Sequence, residues 1–177
     1  MMEIRRITGE NAGDVKLPND SFSMPGRMIP KLENGRWSYD IEWFAQVQEM
    51  RFPDESYDLR ELEAEKSVVL GAYEHATCVG LAVLKQSFFK YMYIYDLKVC
   101  APYRKQGVGR ALIEMSKQVA KEQGYQGLYL QAQDNNLSAC LFYLKTGFEI
   151  GGFDNHVYNG TSQAGKADIF FYTKREV

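Results

Sequence analysis

Apolar positions along the chain fall into two rhythms. From Val108 onward they recur at steps of three and four, through Leu112, Met115 and Val119, which predicts a helix with one apolar face that Gly124 can terminate. The run before it, Tyr91 to Cys100, is aromatic and β-branched, as a buried strand is. Ser67 to Tyr73 and Thr77 to Lys85 are two further β-rich runs separated by Glu74-His75-Ala76, which predicts a hairpin with the Tyr91 run as the next antiparallel strand. Gly127 to Ala132 is strand-like again, and strand, helix, strand is the order that yields a parallel pair with a right-handed crossover. A second helix is predicted over about Asn136 to Thr146, with Leu137, Cys140, Leu141 and Leu144 toward the core and Gly147 as its stop. Phe148 to Phe153 and Asp168 to Thr173 read as closing strands joined by a polar loop from Asn155 to Gly165.

The N-terminal third is less regular. Ile4 to Ile7 reads as a short strand. Between Asn11 and Trp37 the prolines at 18, 25 and 30 and the glycines at 26 and 35 interrupt any periodicity, which predicts an ordered but irregular segment over the core. Ser38 to Met50 reads as helical, with Ile41, Phe44, Ala45 and Gln48 along one side. Asp54 to Glu65 reads as partly helical, opening near Asp54 and Ser56, which can cap. No repeat or interdomain linker interrupts residues 1–177, so the fold class is α/β (α+β) in a single domain.

The 177 residues supply mass for a sizeable core. Lysine and arginine number 21 against 23 aspartates and glutamates, a formal charge of −2, so no field strong enough to hold nucleic acid is present. The start lacks the apolar core of a signal peptide, and no apolar run approaches the roughly 20 residues that span a bilayer; no membrane association and a cytoplasmic location are expected. Cys78, Cys100 and Cys140 are odd in number and far apart, which fits buried thiols better than a disulfide or zinc framework, and no metal is expected. Nothing in the sequence excludes a homodimer.

Chemistry concentrates where the Tyr91 strand turns into the helix. Arg104-Lys105-Gln106-Gly107-Val108-Gly109-Arg110 places two glycines around the first helical turn, where unpaired N–H groups and the positive end of the helix dipole face outward. A diphosphate fits there. The dinucleotide fingerprint and the nucleotide P-loop cannot be written from these residues.

The pattern Arg104-x-x-Gly107-x-Gly109 resembles the coenzyme A pyrophosphate loop of the GNAT superfamily of N-acetyltransferases. About thirty residues on, Asn136-x-x-Ala139-x-x-x-Tyr143-x-x-x-Gly147-Phe148 resembles that superfamily's second coenzyme-binding segment. Pro18 to Phe22, Gly26 to Pro30, Glu33 to Trp37 and Gln133 to Asn136 are similar to the streptothricin acetyltransferases, which acetylate an amine on the β-lysine arm of that antibiotic. The resemblance implies a GNAT fold, a mixed central sheet of about six to seven strands flanked by helices, with the segment at about 10–66 on the substrate side. It implies acetyl-CoA as co-substrate, a small cationic amine as acceptor, and direct attack in a ternary complex. Other amines (polyamines, aminoglycosides, protein amines) and a non-catalytic acyl-CoA-binding module are the alternatives.

Acetyl transfer to an amine needs a base for the ammonium and an acid for the departing thiolate. Asp96, beside Leu97-Lys98-Val99, is the candidate base, directly or through water, and Asp134 is its competitor. Tyr143 matches the tyrosine that acts as general acid in many GNAT enzymes. Leu97, Lys98 and Val99 are expected to offer backbone groups to pantetheine as an added strand does. Arg104, Lys105, Gln106, Gly107, Val108, Gly109 and Arg110 are expected to hold the diphosphate, mainly through backbone N–H groups. Asn136 is expected to bind the coenzyme through its amide. Glu33, Asp40, Glu42, Asp54, Glu55 and Asp58 make the N-terminal half acidic, as a cleft for a polycation would be, and Trp37 and Tyr39 can pack against the antibiotic's rings.

Overall fold

The structure, a computed structural model, describes residues 1–174. In chain order the strands are β1 (Met2–Arg6), β2 (Phe22–Glu33), β3 (Arg36–Met50), β4 (Val68–Glu74), β5 (Thr77–Lys85), β6 (Tyr91–Val99), β7 (Gly127–Gln133), β8 (Phe148–Asp154) and β9 (Asp168–Thr173). The α-helices are α1 (Leu59–Ala64), α2 (Val108–Glu122) and α3 (Leu137–Lys145). The main sheet is mixed and has seven strands, as expected for the fold class; β2 and β3 form a separate two-stranded sheet. The chain divides into two compact units, residues 1–21 with 51–128, and residues 22–50 with 129 onward.

In the first unit β1, β4, β5 and β6 follow one another as an antiparallel meander. β4 and β5 are buried on both faces, because helix α2 packs on one side and the N-terminal segment with α1 on the other. Val108, Leu112 and Val119 of the predicted stripe are buried, whereas Met115 is half-exposed and Ile113, Ser116 and Ala120 complete the inner face. Burying side chains of this size contributes about 1.5–3 kcal/mol each. Gly80 lets the helix approach, since a Cβ there would stand 3.2 Å from Leu112 and Val108. The helix ends as its glycine predicts: Gly124 has φ 83°, and the Tyr125 amide reaches back to the Ala120 carbonyl at 2.9 Å.

The N-terminal region differs from expectation in three places. Part of the irregular segment is the strand β2, and Ser38 to Met50 lies within the strand β3 rather than in a helix. The deciding signal is period two: Trp37, Tyr39, Ile41 and Trp43 alternate with Ser38, Asp40 and Glu42, and Asn34-Gly35 (φ 51° and 74°) supplies the tight hairpin turn. The helical spacing of Ile41, Phe44 and Ala45 was coincidental. Pro25 sits at the register irregularity between Met24 and Gly26, and Pro30 is tolerated because β2 has one partner strand. Helix α1 is short and starts at Leu59, with Asp58 as its cap in place of Asp54 or Ser56; its Oδ1 accepts the amides of Arg60 and Glu61.

In the second unit β9 pairs antiparallel with both β7 and β8. Helix α3 packs on β8 and on β2, and buries Leu137, Cys140 and Tyr143, while Leu141 and Leu144, expected in the core, are half-buried. Cys140 is buried as expected; Cys78 and Cys100 are half-buried, and all three are free thiols. At Gly26 a Cβ would stand 2.4 Å from the Glu42 carbonyl oxygen, a backbone atom that cannot swing aside. Gly26→Ala is therefore expected to lose about 1–3 kcal/mol of stability by urea denaturation, whereas an unchanged midpoint would mean that the hairpin strands separate freely.

Candidate active site

Strand β6 carries a bulge: Val83 of β5 faces Asp96 while the neighbouring Leu84 faces Ile94, so Tyr95 is the extra residue. Beyond it Leu97 pairs with Ala82 and Val99 with Gly80, and the side chains of Asp96 and Lys98 share the opposite face. The Lys98 side chain is only 10% exposed, and its ammonium donates to Glu55 Oε2 at 2.6 Å and to the Leu17 carbonyl at 3.0 Å, and lies 3.4 Å from Asp96 Oδ2. The Tyr57 hydroxyl donates to the same Asp96 oxygen at 3.0 Å. Burial pushes the Asp96 carboxyl above its ordinary value, and Glu55 adds to this; Lys98 and the Tyr57 hydrogen bond oppose it. Burial also pushes Glu55 up, but the Lys98 ammonium and the Asn19 amide outweigh it and leave Glu55 below its ordinary value. Tyr57 is held protonated by its own burial and by Asp96. Asp96 and Lys98, two apart on a strand, were legible as neighbours; Glu55 and Tyr57 come from an extended stretch with no pattern of its own.

After β6 a short turn over Ala101–Tyr103 leads to the helix. The Arg104 guanidinium spans the Val99 carbonyl at 3.1 Å and the Ser21 carbonyl at 2.7 Å, so it ties the loop to the end of β6 and to the N-terminal segment. Gln106 Nε2 donates to the Pro102 carbonyl at 2.7 Å. Lys105 and Gly107 take left-handed backbones, φ 60° and 86°, and both are exposed; Arg110 is exposed in the first turn of α2. Val108 turns its side chain into the core, Gly109 is half-buried, and Gly107, which has no side chain to cap with, is the N-cap of the helix. Where a Gly107 Cβ would stand there is open space. A 15-residue helix that starts at a glycine N-cap turns the positive end of its dipole toward this exposed rim, so the loop fits a coenzyme diphosphate.

In the second unit Asn136 caps α3, its Oδ1 accepting the Ala139 amide at 3.3 Å. Tyr143 is 8% exposed among Phe142, Phe148 and Phe171, with ring centroids 5.5, 5.7 and 5.6 Å away. Asp134 is buried in the turn between β7 and α3. Its Oδ1 accepts the Ala167 amide at 3.2 Å, its carbonyl accepts the Met28 amide at 2.9 Å, and Arg27 approaches Oδ2 to 4.0 Å. Burial pushes its carboxyl up, against the Ala167 amide and the Arg27 charge.

The acidic N-terminal residues are largely committed to local partners. Glu42 pairs with Arg27 at 3.0 Å, Asp40 with Lys31, Asp54 with Arg51 at 3.0 Å, Glu55 with Lys98, and Asp58 caps α1. Trp37 is half-buried and Tyr39 exposed on the hairpin.

A strand with a bulge, a glycine-opened helix start after it and a second helix bearing asparagine and tyrosine define the class. The model of the acetyltransferase (GNAT) family matches residues 34–148, and the chain belongs to that family. Streptothricin acetyltransferase A of Bacillus subtilis (strain 168) is 37% identical over 171 residues, which cover 97% of this chain and 99% of the relative. The streptothricin acetyltransferase of Escherichia coli is 31% identical over 108 residues, 61% of this chain and 62% of the relative. A crystal structure described as a streptothricin acetyltransferase from Bacillus anthracis str. Ames in complex with acetyl coenzyme A is 33% identical, with a TM-score of 0.88 and 99% of both chains covered. The protein is an acetyl-CoA-dependent N-acetyltransferase, and acetyl-CoA is its co-substrate.

The Lys98 cluster makes a prediction in stability. Lys98→Met leaves Asp96 and Glu55 without their cation and is expected to cost about 3–5 kcal/mol. With folded carboxyl values then raised above the unfolded value, the folded state binds more protons, so stability of the variant falls as pH rises upward from the ordinary carboxylate value of 3.8. Urea denaturation of the variant at pH 5 and pH 7 reads this; a variant equally stable at both would contradict the pairing.

Proposed function

We propose that this enzyme acetylates a primary amine on the β-lysine arm of streptothricin, and so confers resistance to that antibiotic in the cytoplasm. The observation that carries the reading is the extent of the likeness to Bacillus subtilis streptothricin acetyltransferase A, which includes the N-terminal hairpin and takes in 97% of the chain. Acetylation removes an ammonium charge from the antibiotic.

Acetyl-CoA supplies an activated acyl thioester; this chain's residues supply the rest. The backbone from Lys105 to Arg110 holds the diphosphate through N–H groups, with Arg104 fixing the loop rather than touching the phosphates. Leu97 and Val99 offer strand-edge groups, and the bulge at Tyr95 frees backbone there from regular pairing. Asn136 contributes its amide N–H groups while its oxygen caps α3.

An amine of ordinary lysine pKa, near 10.4, is protonated at pH 7, and freeing it costs about 4.6 kcal/mol. Asp96 accepts that proton, directly or through water. Burial makes its carboxylate more basic than an exposed aspartate, the direction a base for an ammonium needs. Asp134 is the second choice, because its Oδ1 already accepts the Ala167 amide and its backbone joins Met28, the pattern of a turn-forming residue. Tyr143 donates to the departing thiolate. A phenol near 10 is a weaker acid than a thiol near 8.5, an uphill transfer of about 2 kcal/mol, and the aromatic surroundings of Tyr143 favour neutralising the thiolate.

Incubating the purified protein with acetyl-CoA and streptothricin is expected to release thiol and add one acetyl mass to the antibiotic; no release and no mass gain would remove this acceptor. Tyr143→Phe is expected to lower kcat about 10²-fold or more while the KM for acetyl-CoA stays within about twofold. A matched loss in coenzyme affinity would make the hydroxyl structural.

A further inference from the structure

Asp40, Glu42, Asp54 and Glu55 have cations and Asp58 caps α1, whereas Asp168 of the second unit forms no ion pair among the described residues. Asp168 opens β9 and is 7% exposed. Its Oδ1 accepts the Tyr158 hydroxyl at 2.6 Å, and among the described residues no cation forms an ion pair with it. Asp154 faces it directly across the β8–β9 pair, and that carboxylate is itself engaged by the amides of His156 and Val157 at 2.9 and 3.0 Å. Burial pushes the Asp168 carboxyl up, opposed by the Tyr158 hydrogen bond and reinforced by Asp154 and Asp134. The cations of this region point elsewhere: Arg27 reaches Asp134, and Lys166 is bonded to Gln163 and to Met50 Sδ.

A second feature points the same way. Gln133 is the direct partner of Asp168 in the β7–β9 pair, so the two side chains share a sheet face. Its carboxamide meets the Tyr158 hydroxyl, and its Oε1 is buried without a hydrogen-bond partner. Two residues on, the Asn135 Oδ1 is also buried and unpaired, its Nδ2 resting on Met24 Sδ at 3.1 Å. A buried carbonyl left unpaired costs about 1–3 kcal/mol, and folded proteins keep few of them.

We propose that Gln133, Tyr158 and Asp168 form a subsite for a cationic group of the acceptor, an ammonium or protonated guanidine other than the amine that is acetylated. The subsite offers a carboxylate, a carbonyl oxygen and a hydroxyl. An ammonium brings donors and no acceptor, so each of its N–H groups finds an oxygen and the buried negative charge finds its counterion. An anion would meet the Asp168 carboxylate, and the donors beside it are engaged: the Tyr158 hydroxyl donates to Asp168 and the Gln133 carboxamide to that hydroxyl. The subsite deepens the reading of the acceptor as a polyamine, and rests on it: it separates molecules with two or more charges from those with one.

Isothermal titration of the full-length enzyme with streptothricin and with spermidine tests this. Asp168→Asn is expected to weaken both at least tenfold and to leave coenzyme A binding within twofold. Gln133→Met, which keeps length and removes the carbonyl, is expected to weaken both at least threefold, and decides the matter if Asp168→Asn does not fold. Variants that bind both polycations as the parent does, or a parent that binds neither, would overturn the subsite. Polycation binding that depends on Asp168 in an enzyme that does not acetylate streptothricin would refute the acceptor proposed above and leave the subsite standing.

Discussion

The ammonium of Lys98, enclosed between Glu55, Asp96 and the Leu17 carbonyl, is the interaction on which the working end of β6 depends. A charge taken out of water is tolerated only where partners replace the solvent, and here the partners come from separate stretches of chain. Leu17 and Glu55 belong to the covering segments, Asp96 and Lys98 to the strand they cover. One buried cation therefore fixes the bulged strand against its cover and sets the environment of the carboxylate proposed to take the acceptor's proton. Burial raises Asp96 and Glu55 adds to the rise, while the shared ammonium of Lys98 opposes it.

Arg104 does comparable work at the next turn. By bonding to the Val99 and Ser21 carbonyls it holds the end of β6 and the start of the loop together, ahead of the glycine-opened start of α2. Arg104, read from the sequence among the residues that hold the diphosphate, has its guanidinium on two backbone carbonyls and braces the loop proposed to face the phosphate. The distinction matters because backbone donors at a helix start have fixed directions, whereas an arginine on a flexible stem does not.

Much of this was legible in the sequence where the signal is local. The α2 stripe with Gly124 as its stop, the Glu74 to Ala76 hairpin and the glycine-opened turn depend on residues within a few positions of one another, and each lies where the pattern put it. The β2–β3 hairpin was misread because prolines masked its alternation and three apolar residues of β3 also fit a helical face. The partners of Asp96 were invisible for another reason: Tyr57 and Glu55 lie some forty positions away, in a stretch with neither helix nor strand period. Asp168 read as the start of a closing strand and Gln133 as the residue after another, and only the β7–β9 register brings them face to face.

The central claim is that burial beside Lys98 gives Asp96 a carboxylate more basic than a solvated one, fit to receive the acceptor's proton. A carbon-detected NMR titration of the aspartate carboxyls, with Asp96→Asn to assign the resonance, measures it most directly. The midpoint of Asp96 is predicted to lie above the ordinary aspartate value of 3.8; a midpoint at or below that value would contradict the role given to this residue.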